Sequence, residues 1–283
     1  MAACSSGLSF GDHRPPMCLS KALTLLEPKQ NKETMILFDN SGEITRNKAT
    51  HEELPLLIKR LEATLRAISK EGSVALASSL SAEDMVLTDV IARLGLPIEI
   101  FTLQTGRLHA ETVTMIERTE VRYGLKVHQF EPEAGALADL VVTHGLNGFY
   151  ESLEARRACC NVRKMAPLAR ALADYDAWIT GQRRDQSLTR DHLSEREQDS
   201  AHKLVKYNPL AAWTWLDVLA YAEHFQVPLN PLHARGYVSV GCDPCTRAIR
   251  PGEHPRDGRW WWENADTKEC GLHQNDHNKE AIA

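Results

Sequence analysis

Short apolar runs alternate with stretches of helical periodicity through the middle of this chain, and that alternation restricts its fold more than any other feature. Residues 73–78, 98–103, 126–130 and 177–180 each read as a buried strand closed by turn residues. Between them, Leu54, Leu57, Ile58, Leu61, Leu65 and Ile68 repeat at helical spacing, as do Met85, Val86, Val90, Ile91 and Leu94. Residues 108–123 and 213–225 give further helices, the last with Thr214 as its N-cap. This order predicts βαβ units: an α/β fold with a parallel twisted sheet, helices on both faces and right-handed crossovers. Such sheets bind ligands beyond the carboxyl ends of their strands, so residues 78–84, 103–107 and 180–190 are expected to line one cleft.

The chain has 283 residues, 43% hydrophobic and 25% charged, enough for a substantial core. Its 38 acidic and 33 basic side chains leave a net charge of −5, which argues against general nucleic-acid binding through a basic surface. No apolar run reaches the roughly eighteen residues of a membrane span. Seven cysteines that include a vicinal pair do not resemble a secreted disulfide framework, so a reducing, cytoplasmic setting is expected. Residues 1–50 are expected to form a partly disordered N-terminal extension, with Cys4 and Cys18 as bystanders. Arg14, Lys21 and Lys29 there fit an organelle transit peptide, but the Arg-rich amphipathic pattern is missing. Residues 51–283 are expected to make one domain, loop-dominated over the cleft from about Arg235, with a mobile tail from about 263 to 283.

Five cysteines carry the chemical signal: Cys159-Cys160, Cys242-x-x-Cys245 and a lone Cys270. Four thiolates suit zinc or a [4Fe–4S] cluster. Adjacent cysteines diverge along the chain and are awkward for one tetrahedral zinc, whereas a cubane offers four separate irons. A pair of core thiols and an unrelated turn is the bland alternative. Cys270 lies between Lys268 and His273, and cationic neighbours favour the nucleophilic thiolate, although an idle surface thiol fits the same residues. The turn of Ser79, Ser81 and Asp84 joins a strand to a helix N-terminus, a setting for an anion, though Ser81 with Asp84 also fits a capping box. Lys164, Arg190, Arg256 and Arg259 belong to a basic set around the cysteines that suggests a small polyanionic ligand. Trp260-Trp261-Trp262 reads as a packing anchor for the tail.

Together these motifs resemble the cluster-containing adenylyl-sulfate (APS) reductases of the phosphoadenylyl-sulfate (PAPS) reductase family. The resemblance rests on residues 79–84, Thr105-Gly106-Arg107-Leu108-His109, Cys159-Cys160 with Arg163-Lys164, residues 180–187, residues 241–247 and Glu269-Cys270-Gly271-Leu272-His273. It implies an adenine-nucleotide α-hydrolase-like fold and a [4Fe–4S] cluster on Cys159, Cys160, Cys242 and Cys245. It also implies that Cys270 attacks the sulfur of APS, that AMP leaves, and that thioredoxin, or a glutaredoxin-like reductant, frees sulfite from the S-sulfocysteine. Lys164, Arg190, Arg256 and Arg259 match positions that meet the phosphosulfate. Ser79, Ser81 and Asp84 match the anion loop, Leu103 and Gly181 match positions near adenine and ribose, and the resemblance implies that His273 helps orient or activate Cys270.

Two departures stand out: Gln104 where relatives carry Asp, and Leu80-Ser81 where a glycine is often seen. The sequence contains no thioredoxin-like segment, so a separate reductant is expected; a homo-oligomer is compatible with it. The competing readings are a PAPS reductase that releases adenosine 3',5'-bisphosphate, a nucleotide-binding iron–sulfur sensor without turnover, and a zinc-stabilised adenylating or sulfurtransferase enzyme.

Overall fold

The computed structural model describes residues 53–187 and 190–264. Six strands form one sheet in the order β3-β2-β1-β4-β6-β5. β1 (Val74–Ala77), β2 (Ile98–Leu103), β3 (Val127–Phe130), β4 (Ala177–Ile179) and β6 (Leu204–Tyr207) run parallel, and β5 (Arg196–Asp199) pairs antiparallel with β6 at one edge. The helices are α1 (Leu54–Ile68), α2 (Ala82–Leu94), α3 (Ala110–Tyr123), α4 (Ala134–His144), α5 (Leu153–Cys160), α6 (Ala166–Leu172) and α7 (Trp215–Phe225).

Side chains alternate across the strands with period two. Val74, Leu76, Ile98, Ile100, Ala177 and Ile179 face the main core, which they share with α1, α2 and α7. Ala75, Phe101 and Trp178 face the opposite side, against Leu168, Ala171 and Leu172 of α6. Helices therefore cover both faces, as the continuous apolar strands require. α2 is buried from Ala82 through Ile91, because α1, α3 and α7 all pack on it. Gly95 and Gly124 close α2 and α3 with φ of 59° and 64°, the left-handed cap that a side chain disfavours. At α7, Thr214 and Asp217 form a reciprocal capping box.

The α/β architecture agrees with the sequence. One local feature matters at the cysteine pair. Cys159 and Cys160 end α5, and the chain runs through a π-helical segment, Asn161–Met165, into α6. A π-turn holds one residue more than an α-turn, which changes the angular spacing between the cysteines and the basic residues that follow. Residues 236–264 are irregular, with a 3-10 turn at Asp243–Cys245. Among the described residues, no helix is long and apolar enough to cross a membrane.

Candidate active site

β1 and β4 are neighbours, yet β1 connects onward to β2 on its other side. Their carboxyl ends therefore flank the sheet's switch point, where a crevice opens. The turn after β1 is shaped by Leu80, whose φ is 59° although it is not glycine and whose side chain is fully buried. The expected capping box at Ser81 does not form, because Asp84 turns away from its own helix end. One Asp84 oxygen accepts from the Ser79 amide and hydroxyl, both at 2.6 Å, and the other accepts from the Gly181 amide at 3.1 Å. Ser79 and Ser81 hydroxyls lie 3.0 Å apart. The Ala82 amide donates to His233 Nε2 at 3.2 Å.

Asp84 thus bolts the turn after β1 to the turn after β4. Burial pushes its carboxyl up to about 6, against the lowering effect of the Ser79 bonds; Glu83 adds to the rise and Gly181 opposes it. Gly181 has no room for a Cβ, which would collide with the Asp84 carboxylate. Beside it, Arg183 donates to Glu83 through Nε at 3.0 Å and Nη2 at 2.9 Å, with the pair buried. Removing either partner of such a pair leaves a stranded charge, at a cost of about 3–5 kcal/mol.

The second half of the site lies where α5 and the π-helical segment meet the turn of Cys242 and Cys245. Cys159, Cys160, Cys242 and Cys245 line one open cavity, together with Arg107, Arg163, Lys164 and Arg259. None of the four is in a disulfide. Trp260 and Phe149 pack against Cys242 and Cys245. The turn is held from β2's side: the Asp243 amide donates to Arg107 O at 2.7 Å, and His109 Nδ1 lies 2.9 Å from an Asp243 carboxylate oxygen. Cys242 Sγ is 3.3 Å from Thr105 Oγ1, and Arg163 donates to Thr105 O at 2.6 Å.

Burial pushes the Cys245 thiol up to about 12; Cys242 adds to the rise, and Lys164 opposes it. Burial also raises Cys159, with Arg163 working against it. Four thiolates in one cavity, three of them buried, would repel one another and need cationic compensation to exist together. The basic residues answer part of that need. Arg156, fully buried, pairs with Glu263 at 2.8 Å and interacts with Cys160. Arg259 is buried too, and among the described residues its guanidinium has no carboxylate partner. It reaches Ser239 Oγ and Val240 O, each at 3.4 Å, while its Nε finds no acceptor. Both Arg156 and Arg259 stand over the Trp260 ring, at 4.8 and 4.6 Å. Any side chain at Gly241 would collide with the Arg259 guanidinium.

Among the described residues, no three Cys, His, Asp or Glu side chains converge as one metal ion requires.

The sequence-derived residues thus fall into two groups. Ser79, Ser81, Asp84 and Gly181 meet at the switch point. Lys164 and Arg259 share the cavity with Cys159, Cys160, Cys242 and Cys245. Leu103 is half-buried at the end of β2 and packs on the α6-side core. Arg190 donates to Gln186, and the Arg256 amide donates to His254 Nδ1 at 3.3 Å; neither lines the cavity. Cys270, His273 and residues 1–50 lie outside the described residues. Arg156 and His233 were not singled out by the sequence. Arg156 stands four residues before Cys160 on one helix, a spacing that could have flagged it. His233 is 151 residues from its partner Ala82, and no local pattern reveals such a contact.

Residues 73–248 match the phosphoadenosine phosphosulfate reductase domain family. An adenosine 5'-phosphosulfate reductase of Burkholderia cepacia is 60% identical over 222 residues, covering 78% of this chain and 89% of that protein. One of Allochromatium vinosum is 56% identical over 204 residues, covering 72% and 80%. Among solved structures, a phosphoadenylyl-sulfate reductase from Candida auris in a phosphate complex superposes with a TM-score of 0.57 at 20% identity, covering 71% of this chain and 98% of that one. At that identity the likeness speaks for the fold alone.

Proposed function

Because the chain belongs to the phosphoadenosine phosphosulfate reductase family, among its adenosine 5'-phosphosulfate reductases, we propose that it reduces adenylyl sulfate to sulfite and AMP in sulfate assimilation. The observation that carries this reading is Arg259: a buried guanidinium with no carboxylate partner among the described residues, beside Lys164 and four thiols. A buried cation of that kind calls for an anion that the described residues do not supply.

In this reading the nucleotide lies at the switch point, with its phosphate near the turn of Ser79 and Ser81. Asp84 is an acceptor only when ionised, so it holds that turn by accepting from Ser79 and Gly181 and does not itself bind the phosphate. Leu103 and Gly181 flank the adenosine. Lys164 and Arg259 face the sulfonyl group, with Arg190 and Arg256 brought in by the bound anion. Their charge lowers the repulsion between an anionic nucleophile and an anionic substrate. Cys159, Cys160, Cys242 and Cys245 would hold a [4Fe–4S] cluster, which supplies a local electrostatic field and no electrons to the reaction. The donor set and the shared cavity suit that group.

Cys270, oriented by His273, attacks the sulfonyl sulfur as the thiolate. A sulfur–sulfur bond forms, the bond from sulfur to the bridging oxygen breaks, and AMP leaves with that electron pair. A dithiol protein, thioredoxin or a glutaredoxin-like reductant, then attacks the Cys270 sulfur and expels sulfite. Its second thiol resolves the mixed disulfide, so the reductant supplies both electrons and returns Cys270 as a thiol. A cytoplasmic location provides such reductants.

The test is the intact mass of anaerobically purified protein mixed with APS alone. One sulfonate gained on Cys270, and lost when thioredoxin is added, is expected; a label on another cysteine, or none, refutes the scheme. Competition between APS and PAPS fixes the substrate, and faster use of PAPS would move the protein to the other activity of the family.

A further inference from the structure

We propose that His233 is a positioning residue that caps α2 from the segment leading to the cysteine turn, so that nucleotide affinity at the switch point depends on that segment. The inference rests on the function proposed above. An α-helix leaves its first amides without partners, and a Ser at the N-cap ordinarily satisfies one of them. Ser81 occupies the N-cap of α2 but makes no capping bond, and its hydroxyl lies against Ser79. The Ala82 amide, the first of the helix, lies outside the reach of an N-cap side chain and donates to His233 Nε2 at 3.2 Å. His233 is therefore a partner for the first amide of α2 supplied from far along the chain.

The ring is fixed on its other side as well. Nδ1 lies 2.8 Å from Tyr237 O, so it carries the proton and Nε2 is the acceptor. Burial holds the imidazole below its ordinary pKa, against a raising effect from Glu83, so this neutral form is the one present at neutral pH. The turn that carries His233 is itself pinned: Asn230 Nδ2 donates to Thr112 Oγ1 of α3 at 2.9 Å, and Asn230 Oδ1 accepts from the Leu232 amide at 3.1 Å. Trp215 of α7 packs on the ring, with centroids 5.6 Å apart.

From Tyr237 the contacts continue to the cysteines. The Tyr237 ring meets His109 edge-on at 5.3 Å, and His109 Nδ1 holds Asp243 at 2.9 Å, between Cys242 and Cys245. The two halves of the site are thus joined through Ala82, His233, Tyr237, His109 and Asp243.

Two substitutions separate the bonds of the ring. The Asn side chain of His233→Asn can donate to Tyr237 O but is too short to reach Ala82. The longer His233→Gln carries a carbonyl oxygen to the place of Nε2. AMP affinity of the full-length, anaerobically purified protein is measured by calorimetry, with iron content and tryptophan fluorescence as controls for folding. His233→Asn is expected to bind AMP roughly tenfold more weakly, the size of a lost helix cap. His233→Gln should stay within about threefold of the unsubstituted protein. Equal affinity in all three proteins, or equal loss in both variants, overturns the assignment. If the unsubstituted protein binds no AMP, the function proposed above falls with it, so the two failures are told apart.

Discussion

Leu80 offers a direct test of how the anion turn is built. Its backbone sits at φ 59°, a conformation that costs a residue with a Cβ about 1–2 kcal/mol. Its side chain is at 0% exposure in the main core, beside α2 and β1. The two effects oppose each other, and their sizes decide which wins. Truncating a buried Leu to Ala costs about 2–5 kcal/mol through lost contacts and the cavity left behind. Leu80→Ala keeps the left-handed strain and should lose that full amount. Leu80→Gly loses the same contacts, recovers the strain, and gives back about 0.5–1 kcal/mol through its freer unfolded chain. Both variants should therefore be less stable than the parent, with Leu80→Gly the better of the two by about 1 kcal/mol. Urea unfolding followed by tryptophan fluorescence reads the difference in midpoints. A Leu80→Ala protein as stable as Leu80→Gly would mean that residue 80 is not left-handed, and the account of the turn would fail. A Leu80→Gly protein more stable than the parent would mean that strain outweighs the core contacts.

Cys245→Ser should remove one cluster ligand, so that anaerobically purified protein loses most of its iron and its brown colour; full iron content would exclude the four-thiol site. Arg259→Ala should lower kcat/KM for APS by about 100-fold or more, the scale of a lost group that stabilises developing charge; steady-state kinetics with iron content unchanged checks it. Asp84 gives a pH signature: its folded pKa near 6 exceeds its ordinary 3.8, so the fold binds that proton more tightly than the unfolded chain. Its contribution to stability falls as pH rises from about 4 to about 6, by on the order of 3 kcal/mol, and Asp84→Asn should remove that fall. Denaturation of both proteins across that range is the measurement, and parallel curves would count against the buried carboxyl.

Where the chain's pattern was strong, the sequence read well. β2 spans Ile98–Leu103, the residues read as a strand, and Thr214 caps α7 as expected. α4 left no comparable trace, because Leu140 is its one buried residue and Val142 is 86% exposed. β5 is Arg-Glu-Gln-Asp, with no apolar face to betray a strand; β6 holds it through main-chain pairing and a 2.6 Å ion pair from Lys206 to Glu197. The π-turn after Cys160 depends on packing around the cysteines and has no local signature. At the site, residue types were legible but partnerships were not. Asp84 looked like a capping residue until Gly181, 97 positions later, came within hydrogen-bond reach. The link from Ala82 to His233 is of the same kind.

The crowding of Gly241 by Arg259 has a consequence for how this protein can vary. The two positions behave as one variable. No substitution at 241 can be accepted while the guanidinium stays in place, whatever the merits of the new side chain. A methyl group introduced there would displace the guanidinium and so move its charge within the cavity without altering it chemically.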